Sequence, residues 1–148
     1  MFKSRSYKLR HVPLRLATGA YILNAGLGKR SLPDEAAAGM QAGAATVVPL
    51  VKDWTPATFG KALSKTEITV GSLLLAPFVP SGLAGAALAG FSGGLLTMYW
   101  RNPDMHEPGS PRPTQQGSAV AKDVWMFGIG TSLLIDACLM RRRRRCAR

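Results

Sequence analysis

Six charged side chains stand inside, or at the ends of, four apolar stretches of this sequence. A charge in such a stretch costs free energy, so each one needs a partner or a function. These residues form a predicted intramembrane charge network and are Arg15, Lys29, Glu67, Lys122, Asp123 and Asp136. The sequence has no motif of a catalytic nucleophile, a phosphate-binding loop or a metal site. It therefore predicts neither catalytic residues nor a metal, and it favours a binding or assembly role over an enzyme.

The charges lie at two depths. Arg15 and Asp136 are each about four residues from the cytoplasmic end of their stretch. If the first and last helices are neighbours, the two can form a buried ion pair. Alternatively, Arg15 reaches lipid phosphates and Asp136 meets the nearby arginine tail. The other four charges gather at the opposite end, where they predict a structural ion network around Glu67, a site for the polar head of a quinone or other lipid, or a proton site.

Four helices are needed to position these charges. The apolar stretches 12–28, 66–80, 82–100 and 124–140 predict four transmembrane spans, because a span requires about 20 mostly apolar residues. We therefore expect a single all-α domain of 148 residues, folded as a transmembrane four-helix bundle. The alternative for the first stretch, a cleaved signal peptide, fits poorly because Arg15 interrupts the apolar run.

The first outer loop, residues 29–65, has helix signals of its own. Residues 31–35 hold a capping residue, a proline and two acids, which is typical of a helix start. We expect a short amphipathic helix over 36–48 and a second turn that begins at Asp53 and runs through Phe59 into the second span. Residues 80–82 alone separate the second and third spans, which predicts a tight antiparallel hairpin.

Positive charge is concentrated in the two tails. The formal net charge is +11, and the tails 1–11 and 141–148 carry ten Lys and Arg in 19 residues, against eight in the 60 residues of the loops 29–65 and 101–123. The positive-inside rule therefore places both termini in the cytoplasm. Because the basic runs adjoin apolar stretches, we expect them to contact anionic lipid of a bacterial plasma membrane, not nucleic acid. The predicted lipid- or partner-binding tail comprises Arg141, Arg142, Arg143, Arg144 and Arg145.

The third stretch carries small residues at every fourth position. The predicted helix-packing face consists of Gly82, Ala86, Gly90 and Gly94. Small residues let two helix backbones approach closely in lipid. The face predicts close packing within the bundle, which we favour, or against a partner subunit.

Three of the four stretches contain short motifs with a polar residue at a fixed place. They are Leu-Arg-Leu-Ala-Thr-Gly from Leu14 and Ala-Gly-Leu-Gly-Lys from Ala25, Lys-Thr-Glu-Ile-Thr-Val-Gly-Ser-Leu-Leu-Leu from Lys65, and Lys122-Asp123. Together they resemble the DoxX-like family of small bacterial membrane proteins over residues 13–137. The resemblance implies a four-helix bundle and recurring polar positions at Arg15, Lys29, Glu67 and Lys122. It also implies a link to redox complexes and, through the related DoxD type, to thiosulfate:quinone oxidoreductase.

These patterns support three hypotheses of function. The first is a non-catalytic accessory or scaffold subunit that needs no cofactor and contacts the subunits of a larger plasma-membrane complex, respiratory or otherwise redox-active. The second is a quinone-linked membrane oxidoreductase subunit that binds a quinone head near Glu67. The third is a small transporter or proton pathway through Glu67, Asp123 and Asp136.

Overall fold

The computed structural model of the chain describes residues 9–146, apart from the side chains of residues 143–145. Residues 1–8 of the predicted basic tail 1–11 and the side chains of Arg143, Arg144 and Arg145 lie outside the described residues. Those described are mainly helical, which confirms the all-α class. The helices are α1 (Val12–Gly28), α2 (Asp34–Ala45), α3 (Pro56–Leu75), α4 (Ser81–Arg101), α5 (Ser118–Ala121) and α6 (Val124–Cys146).

Local sequence sets where α3 begins and ends. It begins at Pro56, where the Thr55 side chain caps the helix by accepting from the Thr58 amide, so the turn predicted to run through Phe59 into the span 66–80 is part of the same helix. It ends at Leu75, because Pro77 excludes a helical conformation at the residue before it, and Ala76 is extended. The predicted turn 80–82 is therefore wrong. The connection is 76–80, and residues 81 and 82 belong to α4.

The four long helices pack as two pairs. The first pair is α1 along α3, the second is α4 along α6, and α2 covers the N-terminal part of α3. A core forms where the pairs meet, from Ile22, Val70, Leu74, Ala84, Leu88, Met126 and Leu133. Each end of the bundle takes its name from one residue, Arg15 of α1 or Lys29, the C-cap of α1. The Arg15 end holds the starts of α1 and α4, and the Lys29 end holds α2, α5 and the starts of α3 and α6.

Main-chain contact holds each pair together. A Cβ atom on Gly71 would lie 2.7 Å from the backbone nitrogen of Leu23 on α1. A Cβ atom on Gly85 would lie 2.7 Å from the carbonyl oxygen of Gly130 on α6. Neither position has room for a methyl group, so the helices approach as closely as in small-residue interfaces of membrane proteins.

The predicted helix-packing face is only partly used inside the bundle. Gly82 packs against Ala137 of α6, as predicted. The other three residues of the face, Ala86, Gly90 and Gly94, are exposed. The prediction that they pack within the bundle is wrong because the contact with α6 runs along the adjacent stripe, which includes Gly85.

Two helical stretches, Ser81–Arg101 and Ser118–Arg142, are long and apolar enough to cross a membrane. Large apolar side chains are exposed on α1, α4 and α6. Those more than half exposed on these helices are Leu16, Tyr21, Leu83, Trp100, Val124, Trp125, Ile135 and Leu139. Large apolar side chains exposed in this number are expected where lipid or a partner covers them.

Candidate functional site

At the Arg15 end, a buried arginine holds the end of α3. The Arg15 residue is 1% exposed, so its predicted reach to lipid phosphates is wrong. A helix C-terminus leaves carbonyl acceptors without partners, and the five N–H donors of arginine meet this need. The guanidinium donates hydrogen bonds of 2.7 to 3.2 Å to Ser81 Oγ and to the carbonyl oxygens of Leu73, Leu74, Ala76 and Val79.

Asp136 lies at the same end, as predicted, and contacts the residues just before α1. Its carboxylate pairs with Arg10, and its Oδ2 lies 3.2 Å from His11 Nε2. His11 Nδ1 in turn lies 3.1 Å from Ser81 Oγ. These residue types also form hydrolase triads. Ser81 accepts a further hydrogen bond from Arg15 within a packed helix junction, so we interpret the cluster as structural.

At the Lys29 end, an ion pair joins α1 to α3. Lys29 Nζ lies 2.8 Å from Glu67 Oε2 and 3.5 Å from the carbonyl oxygen of Ala25. The exposed fraction is 20% for the Lys29 side chain and 9% for Glu67, so the pair is largely shielded from water. One turn earlier on α3, Ser64 Oγ donates to the Gly26 carbonyl at 2.7 Å, which fixes the register of the two helices.

Asp123 and Lys122, the remaining predicted members of the charge network, differ in exposure and in whether they line a cavity. Asp123 directly precedes α6, is half-buried, and lines a cavity that Lys29 and Glu67 also line. Lys122 is exposed and is not among the described residues that line this cavity. The network therefore divides into separate groups at the two ends of the bundle. At the far end of α6, Arg141 and Arg142 are exposed.

The cavity at the Lys29 end has a volume of about 350 Å³. Small-molecule sites commonly fall between about 300 and 1,000 Å³. Its lining is mostly apolar, and its charged side chains are Lys29, Glu67 and Asp123. Such a chamber suits a lipophilic ligand with a polar head. The large aromatic and thioether side chains of the lining include Tyr21, Met40, Phe59, Phe91, Met98, Met105 and Met126.

Sequence reasoning missed two contributions. Four of the six methionines line the cavity, and their sequence signal was a position near the Lys29 end of the bundle. Methionine adapts its shape to irregular ligands. His11 was assigned to the tail, although its place immediately before α1 brings it to the level of Asp136. Among the residues described, no group of three or more His, Cys, Asp or Glu could hold a metal ion.

No protein-family model matches the chain, and neither a curated protein nor a solved structure matches it. The DoxX-like resemblance stays a prediction based on its short motifs.

Proposed function

We propose that the chain is a multi-pass membrane protein that binds the polar head of a lipophilic ligand in the cavity at its Lys29 end. The cavity carries this proposal, because an apolar chamber of about 350 Å³ receives charged groups from three separate segments. Its charges come from the end of α1, the middle of α3 and the start of α6. In a bundle stabilised only by packing, side chains would fill this space.

The membrane location is supported by the two helices that are long and apolar enough to cross a bilayer and by the exposed apolar side chains of α1, α4 and α6. In the proposed arrangement all four long helices span a bacterial plasma membrane, and both termini are cytoplasmic. The arginines at the end of α6 then lie against the anionic inner leaflet. The Lys29 end faces outward.

Thiol labelling tests this orientation. A membrane-impermeant maleimide is applied to right-side-out vesicles that contain single-cysteine variants. We expect it to label Ser110→Cys, in the loop after α4, and to reach the exposed Cys146 only after permeabilisation. Immediate labelling of Cys146 in sealed vesicles would contradict the orientation.

A quinone or another isoprenoid lipid is the proposed ligand class. Glu67 and the Ala25 carbonyl accept from the Lys29 ammonium, which has three donors, so one donor is free for a ligand oxygen. The apolar lining then receives the ring and the first part of the tail. The link to quinones in particular comes from the DoxX-like resemblance.

The test is binding of decylubiquinone to the purified full-length protein in lipid nanodiscs. Glu67→Gln keeps the side-chain shape but removes the charge that orients Lys29, so we expect binding about tenfold weaker than wild type. Glu107→Gln, which is exposed and outside the cavity lining, is the matched control and should bind like wild type. Wild-type protein without saturable decylubiquinone binding would refute the quinone as ligand, and Glu67→Gln with unchanged affinity would refute the proposed role of Glu67.

A second candidate is the non-catalytic accessory subunit of a larger membrane complex. The exposed stripe Ala86, Gly90 and Gly94 favours it, because a Cβ atom on either glycine would meet no atom within 4 Å beyond the nearby backbone of its own helix and its two chain neighbours. A partner helix can therefore approach the α4 backbone closely here. Affinity purification from native membranes, with mass spectrometry of what co-purifies, tests this candidate. Gly90→Leu should release the partner, whereas Ala20→Leu on the exposed side of α1 should not.

A proton pathway through Glu67, Asp123 and Asp136 has less support. The apolar core residues Leu74, Leu88 and Leu133 fill the bundle between the two ends. Glu67 and Asp123 belong to the Lys29 end and Asp136 to the Arg15 end, so these carboxylates do not form one chain.

A further inference from the structure

The charged groups that line the cavity do not balance. Lys29 is positive, whereas Glu67 and Asp123 are negative. Lys29 is engaged by Glu67 at 2.8 Å. Among the side chains that the structure describes, no Lys or Arg nitrogen lies within 4 Å of the Asp123 carboxylate, and the adjacent Lys122 is exposed. The cavity therefore carries one carboxylate without an ion-pair partner.

A half-buried carboxylate beside an apolar chamber loses part of its hydration, and a cation that joins it offsets this cost. An anionic head group would meet two carboxylates in this cavity and only one ammonium, which is already paired. A neutral head group would gain little from Asp123. A cationic head group is the one kind that both completes the charge balance and lowers the cost of Asp123.

The apolar part of the lining fits the same ligand. Three aromatic residues, Tyr21, Phe59 and Phe91, are among those that line the cavity. The faces of aromatic rings attract cations by about 0.5 to 2 kcal/mol each, most strongly when the cation is desolvated. The four methionines add polarizable surface that accepts bulky apolar groups of varied shape.

We propose that the cavity binds a lipophilic cation, whose positive head pairs with Asp123 and whose apolar groups contact the aromatic and methionine side chains. This inference rests on the proposed function, that the cavity binds a lipophile, and it specifies the charge of the head group. It differs from a preference for quinones, which are neutral.

The test compares two ions of nearly the same shape and opposite charge, tetraphenylphosphonium and tetraphenylborate. Each is titrated into nanodiscs that hold the full-length wild type, Asp123→Asn, or the control Asp53→Asn. Asp53 is exposed and outside the cavity lining. Because each ion partitions into lipid to its own extent, its affinity is compared between variants and not with the other ion. Decylubiquinone is titrated in parallel as the neutral probe.

We expect Asp123→Asn to weaken tetraphenylphosphonium binding about tenfold, with tetraphenylborate binding unchanged or tighter and Asp53→Asn like wild type. If decylubiquinone binds but Asp123→Asn leaves tetraphenylphosphonium affinity unchanged, the cation inference is wrong and the proposed function stands. If none of the three probes binds the wild type saturably, both are wrong. Thermal unfolding of Asp123→Asn checks that the variant is folded.

Discussion

At both ends of the bundle a cation of α1 or its C-cap contacts α3, yet one end is filled by side chains and the other contains a cavity. Arg15 is 1% exposed and gives its donors to carbonyl oxygens and Ser81. Lys29 is bound to one carboxylate and lines a space of about 350 Å³. A buried charge whose donors are all used stabilises a fold, whereas one with a spare donor beside unfilled space can also act on a ligand.

The difference follows from which acceptors the cation meets. Main-chain carbonyls at the end of α3 are fixed by the helix, so Arg15 can satisfy several at once with a rigid, planar group. Glu67 is a single side chain, and the Lys29 ammonium is a compact charge on a flexible stem. We therefore expect substitutions at the Arg15 end to act on stability and those at the Lys29 end to act mainly on binding.

The largest effect is expected for Arg15→Met. It removes every donor that caps the end of α3 and leaves buried carbonyls unpaired, which should lower the free energy of unfolding by about 3 to 5 kcal/mol. Arg15→Lys should recover less than half of this loss, because lysine has fewer donors and no planar fork. Chemical unfolding in mild detergent measures both. Arg30→Met, on the exposed surface, is the control and should change stability by less than about 0.5 kcal/mol.

This prediction depends on the hydrogen-bond partners of Arg15, which the sequence did not identify. The position of Arg15 within an apolar stretch indicated that it needs a partner, but the predicted alternatives were Asp136 and lipid phosphate. The carbonyls that accept from it become available only because Pro77 ends α3 at Leu75, one turn earlier than hydropathy indicated. Apolar content shows which residues prefer lipid, and it does not show where backbone hydrogen bonding stops.

The cavity was less predictable for a related reason. Helical spacing and the level of the charges correctly brought Lys29 and Glu67 together. The space beside them depends on Met40 of α2 and Met105 of the loop after α4, whose positions are fixed by long-range packing. Periodicity within a helix carries no information about such contacts. Lys122 was predicted at the same level as Lys29 and Glu67, yet its side chain is exposed, so the level of a charge does not show whether it faces the bundle interior.

Two alanine substitutions compare the packed core with the cavity directly. Ala84 is 0% exposed in the core, so Ala84→Leu should cost about 1 to 3 kcal/mol through overpacking. Ala25 lines the cavity, so Ala25→Leu has space for its added atoms and should change stability by less than about 1 kcal/mol. Ala25→Leu should nevertheless abolish binding of the cavity probes, because it fills their site. Equal losses of stability would mean that the cavity is not open space in the folded protein.

The smallest effect is expected for Lys122→Gln. This substitution tests whether Lys122 is separate from the charged residues that line the cavity. Lys122 is exposed and does not line the cavity, although it adjoins Asp123 in the chain. Its loss should change stability by less than about 0.5 kcal/mol, as for most surface substitutions. Because surface charges are screened by salt, its effect on probe affinity should be under about threefold at physiological ionic strength. If Lys122→Gln instead tightened binding of tetraphenylphosphonium about as much as Asp123→Asn weakened it, Lys122 would be the counter-ion of Asp123. The charge imbalance of the cavity would then be absent in solution, and the Lys29 end would be a closed ion network like its counterpart at Arg15.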